Sequence, residues 1–143
     1  MVNNGIPLKN LVIFASGSGS NAEKIFEYFK DSNEVLITHI FSNNPEAGVI
    51  SRAERLAIPC TIFTRAEYKD GTLLKKIQSL NTDWVILAGF LWLIPSDFIQ
   101  AYPQRIVNLH PALLPKFGGK GMYGHFVHEA VVEAGEKESG ITI

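Results

Sequence analysis

Two polar side chains late in the sequence have the types and the spacing to stabilise a reacting acyl group. Asn108 and His110 stand two positions apart in the segment Asn-Leu-His-Pro. If this segment leaves a strand, alternate side chains point to one side, so the amide and the imidazole can converge on one atom. Asn108 can then donate a hydrogen bond to an oxyanion, and His110 can stabilise it or move a proton near neutral pH. The pair suits acyl transfer by direct attack of an amine.

A second candidate site is the turn Ser-Gly-Ser-Gly-Ser-Asn at residues 16–21. It follows the first apolar run and precedes a helical stripe, where main-chain amides and a helix dipole can hold phosphate. Gly19 permits close approach of an anion, and Ser20 and Asn21 add donors. The nucleoside triphosphate pattern is absent, and no acidic residue ends the second strand to hold a ribose. The turn therefore predicts a small phosphate monoester, and a purely structural turn is the alternative.

The elements that must position these residues alternate between strand and helix. Apolar runs predict strands, and apolar stripes at helical spacing predict helices. The predicted strands are residues 11–15, 35–41, 60–63, 84–87 and 105–108, and the predicted helices are 21–30, 49–56, 73–80, 95–101 and 125–134. Ser20 or Asn21 is expected to cap the first helix. The alternation predicts an α/β fold with a doubly wound, mostly parallel, Rossmann-like sheet, which should bring both candidate sites to one edge.

Length and patterning indicate one domain. The 143 residues, 46% of them hydrophobic, can bury one substantial core. Residues 1–10 are polar and are interpreted as a leader, and residues 11–143 are interpreted as the domain. The last four residues, Gly-Ile-Thr-Ile, are typical of the start of a strand. We therefore expect the domain to be incomplete at its C-terminus.

Composition excludes several other classes of protein. Thirteen basic and fourteen acidic residues give a formal charge of -1, so no overall field favours nucleic acid or an anionic membrane. The longest apolar run, residues 84–95, is too short to span a bilayer. The single cysteine, Cys60, fits a reducing compartment and predicts a cytoplasmic protein. His125 and His128 lack a third ligand, so no metal site is predicted, and His39 is predicted to be an ordinary strand residue.

Three segments together resemble one known family. They are the turn at residues 16–21, Leu-Ala-Gly-Phe at 87–90, and Asn-Leu-His-Pro-Ala-Leu-Leu-Pro at 108–115. Their combination is similar to that of the phosphoribosylglycinamide formyltransferases, which are folate-dependent formyltransferases, and the likeness runs over residues 11–143. The Asn-x-His-Pro motif alone is shared with other formyltetrahydrofolate enzymes. The glycine turn distinguishes the phosphoribosylglycinamide formyltransferases from those other enzymes.

This resemblance implies an activity in purine biosynthesis. A formyl group would pass from 10-formyltetrahydrofolate, the one-carbon co-substrate, to the amine of glycinamide ribonucleotide, and no metal is required. Gly19, Ser20 and Asn21 would bind the ribose phosphate. Asn108 and His110 would be the catalytic amide and imidazole.

The resemblance also implies a folate site. The residues expected to contact folate are Arg65, Leu91, Trp92, Leu93, Ile94 and Asn108. Trp92 stands where the family commonly has an arginine, Ala112 replaces a usual serine, and the loop at residues 116–124 is longer than the common form. His128 matches a family histidine, to which we assign no role.

Two other functions remain open from the sequence. The family's third catalytic residue, an aspartate that orients the histidine, is expected a few residues beyond Ile143. Without it, a non-catalytic fragment that binds a phosphorylated ligand is one alternative. The other is formyltetrahydrofolate deformylase, in which water replaces the amine; its family carries an N-terminal regulatory domain, for which residues 1–10 leave no room. The oligomeric state is not predicted.

Overall fold

The structure, a computed structural model, describes residues 5–143. Strands and helices alternate along this range. The strands are β1 (Lys9–Phe14), β2 (Val35–Ser42), β3 (Cys60–Ile62), β4 (Trp84–Ala88) and β5 (Ile106–Leu109). The helices are α1 (Ser20–Phe29), α2 (Val49–Arg55), α3 (Arg65–Lys69), α4 (Thr72–Ser79), α5 (Ser96–Ala101) and α6 (His125–Glu133).

The strands form one sheet in the order β3-β2-β1-β4-β5. The pairs β1–β2, β1–β4 and β2–β3 are parallel. The chain moves outward from β1 to β3 and then returns to the other side of β1, which places a switch point between the ends of β1 and β4. The predicted doubly wound α/β fold is confirmed.

The central strand β1 is buried on both faces, which explains its continuous apolar run. Leu11 and Ile13 pack in a core with residues of α1 and α2. Val12 and Phe14 pack in a second core with residues of α3, α4 and α5. Because a strand alternates its side chains, each face of the sheet is covered by one group of helices.

Residue contacts divide the chain into two compact units, Met1–Val107 and Asn108–Ile143. The first unit contains β1 to β4 and α1 to α5, and β5 runs across the boundary. The second contains α6 and a small core of Ala112, Val127 and Val131. That residues 11–143 act as one domain stays a prediction. No helix in the described range is long and apolar enough to cross a membrane.

The boundaries of several elements differ from those predicted. β1 begins at Lys9, inside the segment interpreted as a leader, and residues 1–4 of that segment lie outside the described residues. Pro95 is the N-cap of α5 and not its first residue. Helix α3 was not predicted, although Thr64 and Glu67 form a capping box at its start. That Thr-x-x-Glu pattern was the available signal.

The predicted side-chain cap of α1 is wrong. Gly19 is the N-cap residue, and no side chain caps the helix. The left-handed conformation of Gly19, with φ of 76°, turns the chain into the helix within one residue. Ser20 is therefore already helical, and its side chain is free of the capping role.

Candidate active site

The glycine turn joins the end of β1 to the start of α1 by a close approach to α2. A Cβ atom at Gly19 would lie 2.8 Å from the Cα of Val49, which is fully buried. The amide of Val49 also donates a hydrogen bond to the carbonyl of Gly17, with an N···O distance of 3.0 Å. Position 19 therefore requires glycine both for its φ angle and for space.

The first turn of α1 offers hydrogen-bond donors to an anion. The first amides of an α-helix have no acceptor within the helix, and here no side chain supplies one. Ser20 and Asn21 are exposed, whereas Gly19 is buried behind them. The three residues predicted to bind phosphate thus stand in sequence at a helix N-terminus, where the dipole favours negative charge.

One acidic side chain in this first turn is neutralised by two arginines. Glu23 forms ion pairs with Arg52 and Arg55, both on α2. The hydrogen bonds from Arg55 and then Arg52 hold the pKa of Glu23 below its usual value. Arg52 also donates from Nε to the carbonyl of Ser18 at 2.7 Å. The three side chains together carry one net positive charge beside the turn, a contribution that the sequence analysis missed because the partners are remote in sequence.

Ser16 ties the turn to the neighbouring strand ends. Its hydroxyl donates to Oδ1 of Asn43 at 2.7 Å and accepts from the amide of Leu91 at 3.1 Å. Its own amide donates to the carbonyl of Gly89 at 3.0 Å. The buried serine therefore links the ends of three parallel strands. A serine directly after a buried strand was a sequence signal for this role. Its hydrogen-bond partners could be identified only once the order of the strands in the sheet was known.

The segment predicted to contact folate follows β4 and packs on an aromatic cluster. The guanidinium carbon of Arg65 lies 4.1 Å from the centre of the Trp92 ring, a cation–π contact. The hydroxyl of Tyr68 donates to the carbonyl of Leu93 at 2.9 Å. Burial, with a smaller contribution from Asp97, raises the pKa of Tyr68, so this donor keeps its proton.

The exposed side chains of this segment leave a surface for a ligand. Leu93 is 93% exposed and Leu91 is also exposed, while Trp92 and Ile94 are half-buried. Arg65 and Trp92, two of the residues predicted to contact folate, are in contact with each other in the structure. Two hydrogen bonds fix the main chain of residues 91–94, one between the Leu93 carbonyl and Tyr68 and one between the Leu91 amide and Ser16.

In the second unit, Asn108 and His110 stand where β5 ends. Asn108 lies in the last part of the strand and is exposed, and His110 follows it and is half-buried. The amide and the carbonyl of His110 each form a 2.9 Å hydrogen bond with the main chain of Thr142, in an antiparallel bridge. The strand start predicted at residues 140–143 is present only as this isolated bridge.

Two residues that hold the histidine segment were not predicted from the sequence. Thr142 donates from its hydroxyl to the carbonyl of Ala112 at 2.7 Å and accepts from the amide of Leu114 at 3.0 Å. The carbonyl of Phe117 lies 2.7 Å from Nε2 of His110. Main-chain acceptors carry no side-chain signature, so only the folded loop could identify Phe117.

The other histidines of the described residues lie on β2 and α6. His39 lies in β2, as predicted, and its Nε2 is 2.7 Å from the hydroxyl of Thr61. His125 and His128 lie in the first half of α6. Among residues 5–143, no group of three or more His, Cys, Asp or Glu side chains is arranged to hold a metal ion.

The parallel sheet, with a glycine turn at its switch point, defines a doubly wound α/β protein of the Rossmann-like kind. A protein-family model for formyl transferases matches residues 9–143. The chain belongs to the formyl transferase family. The predicted family resemblance is confirmed.

Individual relatives agree with this family. The chain is 43% identical to the chloroplastic phosphoribosylglycinamide formyltransferase of Arabidopsis thaliana over 94% of this chain, and it spans about half, 49%, of that relative's length. A crystal structure of glycinamide ribonucleotide transformylase 1 from Geobacillus kaustophilus superposes with a TM-score of 0.83 at 33% identity, covering 95% of this chain and 73% of that one.

A formyltetrahydrofolate deformylase from Pseudomonas syringae shares the fold. Its structure superposes with a TM-score of 0.76 over 95% of this chain and 45% of that one, at 21% identity. At this identity the likeness extends to the fold alone.

Proposed function

We propose that this chain acts as a phosphoribosylglycinamide formyltransferase, which passes a formyl group from 10-formyltetrahydrofolate to the amine of glycinamide ribonucleotide. The observation that carries the proposal is the exposed first turn of α1, in which Ser20 and Asn21 follow Gly19 without a side-chain cap. Free amides at a helix N-terminus bind a phosphate monoester. Arg52, Arg55 and Glu23 together carry a net positive charge, which also favours an anionic ligand at this turn.

Asn108 and His110 are the proposed catalytic residues. The substrate amine attacks the formyl carbon, and negative charge develops on the formyl oxygen. Asn108 donates a hydrogen bond to that oxygen, and His110 takes part in moving the amine proton to the departing folate nitrogen. No covalent intermediate with the protein is needed, because positioning of the two substrates lowers the barrier.

Folate is proposed to lie along residues 91–94. The exposed Leu91 and Leu93 provide apolar surface, and Arg65 provides a cation for a carboxylate of the folate. Trp92 stands where an arginine is common in the family, and its ring holds the guanidinium of Arg65 in one place. Asn108 is expected to contact the formyl end of the folate.

The decisive experiment incubates the 143-residue chain with both substrates and follows the folate product by absorbance. Product that requires glycinamide ribonucleotide supports the proposal. Product formed equally fast without the amine indicates a deformylase, in which water is the acceptor. Binding of both substrates without product indicates a non-catalytic fragment and contradicts the proposed activity.

His110→Ala tests the catalytic assignment within the same assay. Loss of a proton-transfer group costs about 10²–10⁴-fold in rate. Binding of glycinamide ribonucleotide should change little, because the phosphate contacts lie in the glycine turn. His128→Ala, on the exposed side of α6, is the matched control and should keep full activity. Near-normal turnover of His110→Ala would refute the role of this residue.

The cytoplasm is the proposed compartment. It rests on the single cysteine, Cys60, which is not in a disulfide. The Arabidopsis relative is named as chloroplastic, so the compartment differs among related proteins. Fractionation of cells that produce the chain would decide the matter, and recovery with an organelle would contradict the proposal.

A further inference from the structure

The ring of His110 is held by a main-chain group of the loop that follows it. Nε2 of His110 lies 2.7 Å from the carbonyl oxygen of Phe117. Phe117 has a φ of 57°, in the left-handed region that residues other than glycine rarely adopt. This unusual backbone conformation accompanies a carbonyl that points at the imidazole.

An amide carbonyl has no proton to give, so the nitrogen that bonds to it must be the donor. In a neutral imidazole only one of the two nitrogens carries a proton. When the ring of His110 is neutral, its proton is therefore on Nε2, and Nδ1 bears a lone pair. No atom of the described residues is hydrogen-bonded to Nδ1.

The loop that presents this carbonyl has two contacts just before the carbonyl. The ring of Phe117 packs on the small core of Ala112, Val127 and Val131. Next to it, Nζ of Lys116 lies 2.7 Å from Oε1 of Glu136. The apolar contact and the ion pair together restrict the chain that leads into the carbonyl.

We propose that the Phe117 carbonyl fixes His110 in the tautomer protonated on Nε2, so that Nδ1 is the nitrogen that exchanges a proton during formyl transfer. Phe117 is then a positioning residue that acts through its main chain. The catalytic part of this inference rests on the proposed function, whereas the tautomer is a property of the protein without substrate.

The proton balance of the step follows from this tautomer. The amine nitrogen forms a bond to the formyl carbon, and the carbonyl electron pair moves to the oxygen. The resulting ammonium gives one proton to Nδ1 of His110. That proton passes to the departing folate nitrogen as its bond to the formyl carbon breaks and the carbonyl forms again, which returns His110 to its neutral state.

A division of labour between Asn108 and His110 follows. The neutral ring has no proton on Nδ1, so it cannot donate from that atom to the formyl oxygen when attack begins. Asn108 is then the donor to the developing oxyanion, and His110 becomes a donor at Nδ1 only after it has accepted the amine proton.

The first measurement is made on the unaltered chain labelled with ¹⁵N-histidine. At about pH 9 an ordinary histidine is neutral, and its protonated nitrogen resonates far upfield of the bare one. The signals of His110 are identified by their absence from His110→Ala. We expect the proton on Nε2. A proton found mainly on Nδ1 would overturn the proposal without any variant of the loop.

The second measurement weakens the carbonyl itself. Replacing Gly118 by glycolic acid through semisynthesis makes the Phe117 carbonyl an ester carbonyl, which is a poorer acceptor. Within residues 5–143 the Gly118 amide donates no main-chain hydrogen bond of normal geometry, and only a weak contact from it closes the turn at residues 114–117. Glycolic acid in place of Gly119 is the matched control, because the carbonyl it alters, that of Gly118, accepts none among the same residues.

The ester at position 118 should reduce the ratio of the Nε2-protonated to the Nδ1-protonated tautomer by about three- to tenfold, and kcat should fall in proportion to the lost fraction of the Nε2-protonated ring. The KM for glycinamide ribonucleotide should stay the same, because the glycine turn is unaltered. Equal spectra and equal kcat for the two esters would overturn the proposal. If the unaltered chain transfers no formyl group, the proposed function fails, while the spectra still decide the tautomer.

Discussion

The glycine turn and the histidine segment at residues 108–117 are held by different kinds of contact. The turn is built into the sheet: Ser16 links three strand ends, and Gly19 touches the buried Val49. The histidine segment is held by a few bonds, to Thr142 and to the carbonyl of Phe117. The glycine turn depends on packing against the core of its unit. The histidine segment depends on individual hydrogen bonds, each of which can be removed separately.

This difference separates stability from activity. Substitutions in the turn should reduce the free energy of unfolding as well as binding, because the turn packs directly against the buried core. Substitutions at His110 should reduce activity at nearly constant stability, because that side chain is only half-buried.

Gly19→Ala should cause the largest loss of stability. The added Cβ would overlap Val49, and the φ of 76° is unfavourable for alanine. We expect the free energy of unfolding to fall by about 2–5 kcal/mol, from left-handed strain and overpacking together. Urea unfolding measures this change. Gly17→Ala is the control, since no atom lies within 4 Å of its added Cβ, and an equal loss in both variants would break the comparison.

Ser16→Ala should have the next largest effect. It removes the hydroxyl shared by Asn43 and Leu91 and leaves their polar atoms without this partner. The expected loss is about 1–3 kcal/mol in the free energy of unfolding, the cost of unsatisfied polar groups that are partly buried. Thermal and urea unfolding are the measurements. Ser18→Ala, at an exposed position of the same turn, should be nearly neutral; a comparable loss there would exclude the linking role of Ser16.

Acid should weaken the first unit through His39. Burial lowers the pKa of His39, and the charge of Lys76 lowers it further. In the unfolded chain a histidine titrates near pH 6.5, so below that pH the unfolded chain binds a proton that the folded chain does not. The free energy of unfolding should therefore decrease as the pH falls from about 6.5 through the lower folded pKa.

Unfolding curves at several pH values for His39→Gln measure this contribution. The glutamine amide can still bond to Thr61 but does not titrate, so the dependence on pH should become flatter. His128→Gln, at an exposed site in the second unit, should keep the original slope. A slope unchanged by His39→Gln would show that other groups cause the acid sensitivity.

Trp92→Leu should have the smallest effect on function among these variants, an effect on binding. The variant loses the cation–π contact with Arg65, which is worth about 0.5–1 kcal/mol at an exposed site. We expect the Kd for the folate co-substrate to rise by about two- to fivefold, measured by fluorescence titration. Trp92→Phe keeps an aromatic face and should retain most of the affinity. Unchanged binding by Trp92→Leu would remove Trp92 from the folate site.

Some features were predictable because local patterns encode them. The apolar run of β1 and the glycines after it indicated a buried strand followed by a turn into a helix, and the structure has both, while phosphate binding by this turn stays a prediction. Asn108 and His110 were predicted at the end of a strand and lie there. The roles of these residues stay predictions, because residue type and position indicate chemistry but do not measure it.

Other features required the tertiary structure. Arg52 and Arg55 pair with Glu23 across two helices, and the cap of α1 is the backbone of Gly19 and not the expected side chain. Such contacts join residues far apart in the chain, or depend on a φ angle that neighbouring packing imposes. Neither leaves a pattern in a short window of sequence.

By itself, the sequence determined the alternation of strands and helices, the family, and the residue types available for acyl transfer, because periodicity and short motifs are local properties. Only the tertiary structure decided which atoms meet. The orientation of the His110 ring depends on the carbonyl of Phe117, a group that every residue possesses. Its direction is set by the backbone angles and the packing of the loop, so no residue type could have revealed it.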